Sequence, residues 1–455
     1  MTQDCTKQRA IRGPGRWHPR HLRAWLSARP FLRNVSILLT GAAGGQLIAV
    51  LLSPLLTRLY TPQQFGTLSV YSAALTMIVV LASLRYEFAL LLVRRRADAV
   101  NLMAVCLCVL VLTTAALGVA VFAVPDATLR TLWPVPLDEG PLAAYQGLLV
   151  LGYFCLGFYY IALQLATRTS DFPAIAKTRL AQGLVGPASQ IGLALAGLGA
   201  PGLLVGFVLG QSAGSFGLFG SVIARMRRVL RLLSWRRMRV LARRYIRFPL
   251  ISSWAALIDA AGSSQLLYIL AGIAFSPAVA GFIFLVERVV SRPLAIVGTS
   301  ILQVYMGEAG KIAASDPARL KRRFAQVVSR QSLLALLWIL AANLAASFAF
   351  ATVFGPEWQQ AVTYLHALSL GYLAQAVVQP VFHTLQILGR QGLAAGWQVG
   401  RLCLTVCVFL AGVEQGWAAP WVIAGYSAAQ AVCCLLLLAL MVRATDQRRH
   451  EGVKG

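Results

Sequence analysis

RMRRVLRLLSWRRMRVLARRYIR, Arg225–Arg247, carries ten arginines and no acidic residue. On both sides the chain turns into long apolar runs, so the reading of this stretch decides the fold. On a soluble protein so basic a segment would suggest nucleic acid, but no nucleic-acid-binding motif accompanies it. Here it is one of a series of basic gaps between runs of about twenty apolar residues, each long enough to cross a bilayer as a helix. Basic residues collect in the cytoplasmic loops of membrane proteins, so the stretch reads as an interfacial connector resting on anionic lipid.

Working outward, twelve apolar spans are expected, at 35–56, 65–84, 101–124, 142–166, 180–198, 202–224, 247–273, 278–305, 331–354, 359–388, 394–413 and 418–442. With the N-terminus inside, the inner gaps and tails hold 36 of the 41 basic residues, the outer gaps hold only Arg58 and Arg130, and three arginines lie within spans. That asymmetry places both termini in the cytoplasm. The chain is 58% hydrophobic and 12% charged, about half the charged fraction of a soluble domain. Strict alternation of polarity, the mark of a membrane barrel strand, is absent. The fold class is therefore an all-α polytopic membrane protein. Its expected parts are a basic N-terminal tail (1–34), a six-helix lobe (35–224), the basic connector (225–246), a second six-helix lobe (247–442) and a cytoplasmic C-terminal tail (443–455). No apolar core with a small-residue cleavage site precedes the first span, so no cleaved leader is expected.

The two lobes repeat a signal. Gln46 in span one is followed by Thr61-Pro62 and Gly66, while Gln265 in span seven is followed by Ser276-Pro277 and Gly281. The Pro-x-x-x-Gly element recurs 215 residues apart, and six plus six spans in the same starting orientation imply a parallel repeat with the substrate path between the halves.

Ionisable groups inside spans carry the functional signal, since each costs about 2.5–3.5 kcal/mol on insertion scales and faces a cavity or a partner. They are Asp259 in span seven, Glu287, Arg288 and Arg292 in span eight, and Arg401 in span eleven, with Arg85 and Glu87 near the inner end of helix two, which is expected to continue through Phe88–Val93. Arg288 and Arg292 are four apart and share a helix face, and Pro293 is expected to loosen the helix there. An arginine fork suits a diphosphate, because it pairs with phosphate oxygens and keeps its charge. Internal pairing of these arginines with Asp259, Glu287 or Glu87 is the competing reading, and Asp259 is also a candidate to take up H+ or Na+. Gln46, Gln265 and Gln303 suit sugar hydroxyls or interhelical contacts.

Enzyme signatures are missing. Gly41-Ala-Ala-Gly44-Gly45 lies in an apolar helix with no strand before it, so it serves close helix packing rather than phosphate binding. The five histidines lack metal-ligand spacing, seven of the eight cysteines lie inside spans, and no large outer loop carries a catalytic group. No metal site or cofactor is expected beyond a H+ or Na+ gradient.

Pro54-Leu-Leu-Thr-Arg58-Leu-Tyr60-Thr-Pro62-Gln-Gln-Phe-Gly66, Arg85-Tyr86-Glu87, Arg247-Phe-Pro249, Gly281 and the Gly298–Tyr305 segment together resemble the polysaccharide/O-antigen flippase (Wzx-like) family of the multidrug/oligosaccharidyl-lipid/polysaccharide (MOP) exporter superfamily. The resemblance runs from about residue 33 to 440, strongest in spans one, two, seven and eight. It implies two six-helix lobes opening alternately, and movement of an undecaprenyl-diphosphate-linked oligosaccharide across the bacterial inner membrane for O-antigen, capsule or exopolysaccharide synthesis. The implied cargo site is Arg288, Arg292, Arg401 and Arg85 with the glutamines. The expected partners are the lipid-linked oligosaccharide, membrane lipids, and a polysaccharide polymerase with other assembly proteins; a monomer is expected. Asp259 departs from the neutral residue expected at its place, and the N-terminal tail lies outside the match. A drug/cation antiporter and a peptidoglycan-precursor flippase of the same superfamily are the alternatives.

Overall fold

A computed structural model describes residues 30–123, 142–227, 230–262 and 264–452, which form helices joined by short turns. Residues 1–29 of the basic tail and the expected outer gap Pro125–Pro141 lie outside them. Among the described residues, nine helices are long and apolar enough to cross a membrane, or ten if one bent pair counts as a single span.

The first half runs through α1 (Pro30–Leu51), α2 (Ser53–Leu59), α3 (Pro62–Ile78), the short α4 (Tyr86–Ala89), α5 (Arg96–Ala123), α6 (Leu142–Arg168), α7 (Phe172–Leu195), α8 (Gly199–Ser212) and α9 (Ser215–Met226). The connector contributes α10 (Trp235–Arg244). The second half follows as α11 (Ser253–Ala261), α12 (Ser264–Ala274), α13 (Pro277–Val286), α14 (Arg292–Ser315), α15 (Pro317–Ala349), α16 (Ala361–Val378), the short α17 (Thr384–Ile387), α18 (Gln391–Glu414) and α19 (Ala419–Gly452).

Three expected spans depart from a plain apolar helix. Span seven is broken: Phe248–Ala261 and Gln265–Ala274 meet at 55°. Spans five and eight are helical, as α7 and as α13 with α14, but neither meets the apolar criterion. Their polar residues, Arg179 with Lys177, Gln182 and Gln190 in α7 and Glu287, Arg288 and Arg292 in the other, are the reason. Helix two also ends sooner than expected. After Leu81 the chain passes through Leu84 and Arg85, both with positive φ (48° and 63°), so it cannot continue as a right-handed helix through Phe88–Val93.

The two Pro-x-x-x-Gly elements start α3 and α13 by the same local chemistry. Thr61 and Ser276 are N-caps whose hydroxyls accept from the N–H of Gln64 and Val279, and a proline follows each where its missing N–H costs nothing. Gln64 returns a bond to the Thr61 N–H, completing a capping box. The two helices then pack against each other at these same residues. A Cβ on Gly66 would lie 1.8 Å from the Pro277 carbonyl oxygen, and one on Gly281 would lie 2.1 Å from the Pro62 carbonyl oxygen. Only glycine allows this main-chain contact, which joins the two halves where the hairpins begin.

Around this contact an aromatic cluster seals the same end. Phe65 meets Trp358 edge-on at 4.9 Å and Phe282 meets it at 5.9 Å. The Trp358 indole donates to the Thr57 carbonyl at 2.9 Å, and the Arg58 guanidinium donates to the Thr352 carbonyl at 2.7 Å. We call this the hairpin end, and the opposite end, where the connector lies, the arginine end. There α10 packs on α5 through buried Leu241. Asn101 of α5 fixes its approach by donating to the Leu232 carbonyl at 3.1 Å and accepting from the Ser234 N–H at 2.8 Å.

Candidate functional site

α1 and α7 touch through glycines: a Cβ on Gly41 would lie 2.6 Å from Ala176, and one on Gly45 2.4 Å from the Arg179 carbonyl oxygen. The Gly-Ala-Ala-Gly-Gly run thus serves helix packing, bringing α7 against α1 with its polar stripe toward the second half. Arg179, Gln182, Gly183, Gly186 and Gln190 follow one another at i, i+3, i+4, i+7 and i+11, one face of a helix. Together with Gln46 and Ala49 of α1, Gln211 of α8, Tyr160 of α6, and Ser72 and Thr76 of α3, they form one wall of a cavity of about 390 Å³. The opposite wall comes from the second half: Gln265 of α12, Phe284 of α13, and Arg288 and Arg292.

Span eight changes register where it meets this space. Residues Glu287–Ser291 form a wide π-helical turn between α13 and α14, directly before Pro293. Proline removes an N–H and crowds the carbonyl four residues earlier, so the helix widens there, and such turns frequent functional sites. Arg288 is buried and donates to the Ala49 carbonyl of α1 at 2.9 Å, reaching across the two halves. Arg292 is half-exposed; its Nε lies 3.9 Å from a carboxylate oxygen of buried Glu287, and its guanidinium is 6.0 Å from the Phe284 ring. The second Glu287 oxygen accepts from the Tyr268 hydroxyl.

Four of the ten sequence candidates, Gln46, Gln265, Arg288 and Arg292, therefore line one cavity. The other six lie elsewhere. Glu287 sits behind the cavity wall, facing a smaller space. Arg401 lines that smaller space from α18 and stacks over Trp397 at 5.1 Å. Asp259 is exposed and accepts from Gln398 of α18 at 3.0 Å, so it is no buried carboxylate. Gln303 is exposed on α14. Arg85 stacks over Phe88 at 4.7 Å at the arginine end, and buried Glu87 beside it accepts from the Ser83 hydroxyl.

Sequence reasoning missed Arg179, which it assigned to an inner basic gap. The one-face spacing from Arg179 to Gln190 was the signal that would have found it. With it, three arginines, five glutamines and no carboxylate line the cavity among the described residues. Among the described residues no cluster of His, Cys, Asp or Glu is arranged to hold a metal ion. The arrangement suits a polar, anionic guest held between two halves.

The sequence profile of a family described as polysaccharide biosynthesis protein matches residues 55–363. The chain belongs to this family. The match takes in both glycine hairpins, α7 and the cavity arginines. No curated protein matches the chain significantly. Among solved structures, the fold is similar to a multidrug resistance MATE family transporter of the MOP superfamily. The inward-facing form of that transporter aligns with a TM-score of 0.61 at 14% identity, covering 91% of this chain and 96% of that one. The outward-facing form aligns with a TM-score of 0.55 at 13% identity, with the same shares covered. A MOP superfamily transporter from Pyrococcus furiosus, whose binding pocket is described as having reversed polarity, aligns with a TM-score of 0.52 at 13% identity over 91% of this chain and 96% of that one. This polysaccharide biosynthesis family member thus has the MOP exporter fold. Its fold is the one these membrane transporters share, with nine helices among the described residues long and apolar enough to cross a membrane.

Proposed function

We propose that this protein flips an undecaprenyl-diphosphate-linked oligosaccharide across the bacterial inner membrane, for O-antigen, capsule or exopolysaccharide assembly. The observation that carries the reading is the cavity between the halves, lined among the described residues by three arginines and no carboxylate. Arginine forks take phosphate oxygens bidentately, and the five glutamine amides offer donors and acceptors to sugar hydroxyls. The prenyl chain needs no pocket, since it stays in lipid while the head passes. A drug/cation antiporter would call for negative charge where this cavity has positive charge.

The arginine end is the cytoplasmic side in this reading, with the connector against the anionic leaflet. The sealed hairpin end then makes the arrangement inward-facing, with cargo entering from the inner leaflet. Opening requires the Arg58, Trp358 and Arg288 contacts between the halves to exchange for others.

The test is surface glycan in cells carrying Arg179→Gln, or Arg288→Gln with Arg292→Gln. Glycan is expected to be lost while the amount of protein in the membrane stays normal. Unaltered glycan in both variants would overturn the proposal.

A further inference from the structure

Behind the cavity wall lies a smaller space of about 30 Å³ in the second half, lined among others by Glu287, Tyr372, Gln375, Arg401 and Gln430. Two side chains there are unsatisfied: the Tyr372 hydroxyl and the Arg401 Nε are buried without a hydrogen-bond partner. Arg401 also has no carboxylate within 4.0 Å among the described residues. A guanidinium in the middle of a span without a counter-ion is costly, and a buried donor left unpaired adds to that cost. Among the described residues the only carboxylate lining the space is Glu287, and its contact with Arg292 is long, 3.9 Å. Glu287 therefore stands between two cations, one facing the cargo cavity and one facing the interior.

We infer that Arg401 is a positioning residue for the cargo site, the alternative counter-ion that receives Glu287 when a diphosphate takes over Arg292. The inference rests on the proposed cargo. Without cargo, Glu287 partly neutralises Arg292 and competes with any incoming anion. When diphosphate oxygens pair with Arg292, that carboxylate becomes the like-charged neighbour of the guest and must be neutralised elsewhere. The space beside Tyr372 leads it to Arg401, whose empty Nε and the Tyr372 hydroxyl both donate. No covalent step is involved; one ion pair exchanges for another.

The exchange also reaches the break in span seven. A Cβ on Gly262, the last residue before the break, would lie 2.8 Å from Arg401 Nη2, and one turn earlier on α18 Gln398 holds Asp259. A carboxylate arriving at Arg401 changes the charge at the C-terminal end of α11, where a cation is favoured by the helix dipole. Occupancy of the cavity is thereby reported to α11, α12 and α18.

The test is a thermodynamic cycle on the purified full-length protein in detergent, with farnesyl diphosphate as the probe and its affinity as the readout. Glu287→Gln removes the competitor and is expected to tighten binding. Arg401→Gln strands Glu287 at Arg292 and is expected to weaken it by roughly tenfold, within the usual range of coupling between sites. In the Glu287→Gln background the same Arg401→Gln change is expected to have no effect, and Arg401→Lys, which keeps the charge, to stay near wild type. An equal loss from Arg401→Gln in both backgrounds means Arg401 acts on the ligand or on the fold, and overturns the inference while leaving the cargo reading intact. Arg401→Lys as weak as Arg401→Gln also overturns it. Failure of the wild-type protein to bind the probe, or unchanged binding in Arg288→Gln with Arg292→Gln, removes the cargo reading and the inference with it.

Discussion

The first span of each half starts from a comparable sequence position and ends at the same kind of hairpin, yet the two are built differently. In the first half, α1 is a single 22-residue helix that lies on α7 with backbone against backbone, through Gly41, Gly45 and Gly183. In the second half, the corresponding span is broken into α11 and α12, and it meets α18 through side chains, Gln398 to Asp259 and Arg401 beside Gly262. Glycine contacts give dispersion and close approach without adjustable parts. Polar side-chain contacts have alternative partners. The comparison teaches that the first span of one half meets its neighbour through main chain and that of the other through polar side chains, while the two hairpins that join the halves stay alike.

The largest effect is expected where the halves are alike. Gly66→Leu or Gly281→Leu puts a side chain where a carbonyl already lies, and no rotamer relieves it because the clash begins at Cβ. A loss beyond about 4 kcal/mol is expected, read as the disappearance of the monodisperse peak in size exclusion of a fluorescent fusion. A normal peak from either variant would show that the central contact yields. A smaller effect is expected at the sealed end. Arg58→Ala removes the guanidinium bonds to the Thr352 and Val353 carbonyls; at an exposed site these are worth about 0.5–1.5 kcal/mol. A slightly lower melting temperature should accompany greater labelling of a cysteine placed at Thr57, which is shielded in the sealed form. The smallest effect is expected at Asp259→Asn. Its carboxylate is exposed and holds one amide, so stability should change by no more than about 0.5 kcal/mol, and if the proposed flipping depends on a H+ or Na+ gradient the variant should keep that dependence. Loss of that dependence would move the coupling group into the broken span and sharpen the difference between the halves.

Much of this was legible in the sequence for physical reasons. Hydropathy and the basic gaps report membrane helices directly. Pro62 with Gly66 and Pro277 with Gly281 were visible as a repeat, because N-cap, proline and glycine chemistry is local. Arg288 and Arg292 stood out because a charge in an apolar run is costly wherever it points. What the sequence left unread depends on neighbours distant in the chain. Arg401 and Gln303 share the composition signal of Arg288 and Gln46, but α18 lies behind Glu287 and Gln303 faces away, and no local spacing carries that information. Arg179 was hidden for the opposite reason: beside Lys177 and Arg168 it resembled another topological arginine, until α7 was seen to start at Phe172 and carry it into the helix. The break in span seven was unmarked as well, since Gly262 in an apolar run is common and its meaning comes from the arginine beside it.

The reciprocal hairpin contact has a consequence for how such a chain is put together. Pro62 meets Gly281 and Pro277 meets Gly66, so residue i of one half touches residue j of the other and j touches i. That is the signature of an isologous interface, the kind a two-fold homodimer makes. A half-length chain carrying one Pro-x-x-x-Gly hairpin would make the same contact with a copy of itself. The central seam therefore has the form of a dimer interface written into one polypeptide, with the arginine-rich connector as the tether. Within one polypeptide the two sides of that seam need not match, and here one contributes glycines, glutamines and Arg179 to the cavity and the other Gln265, Arg288 and Arg292.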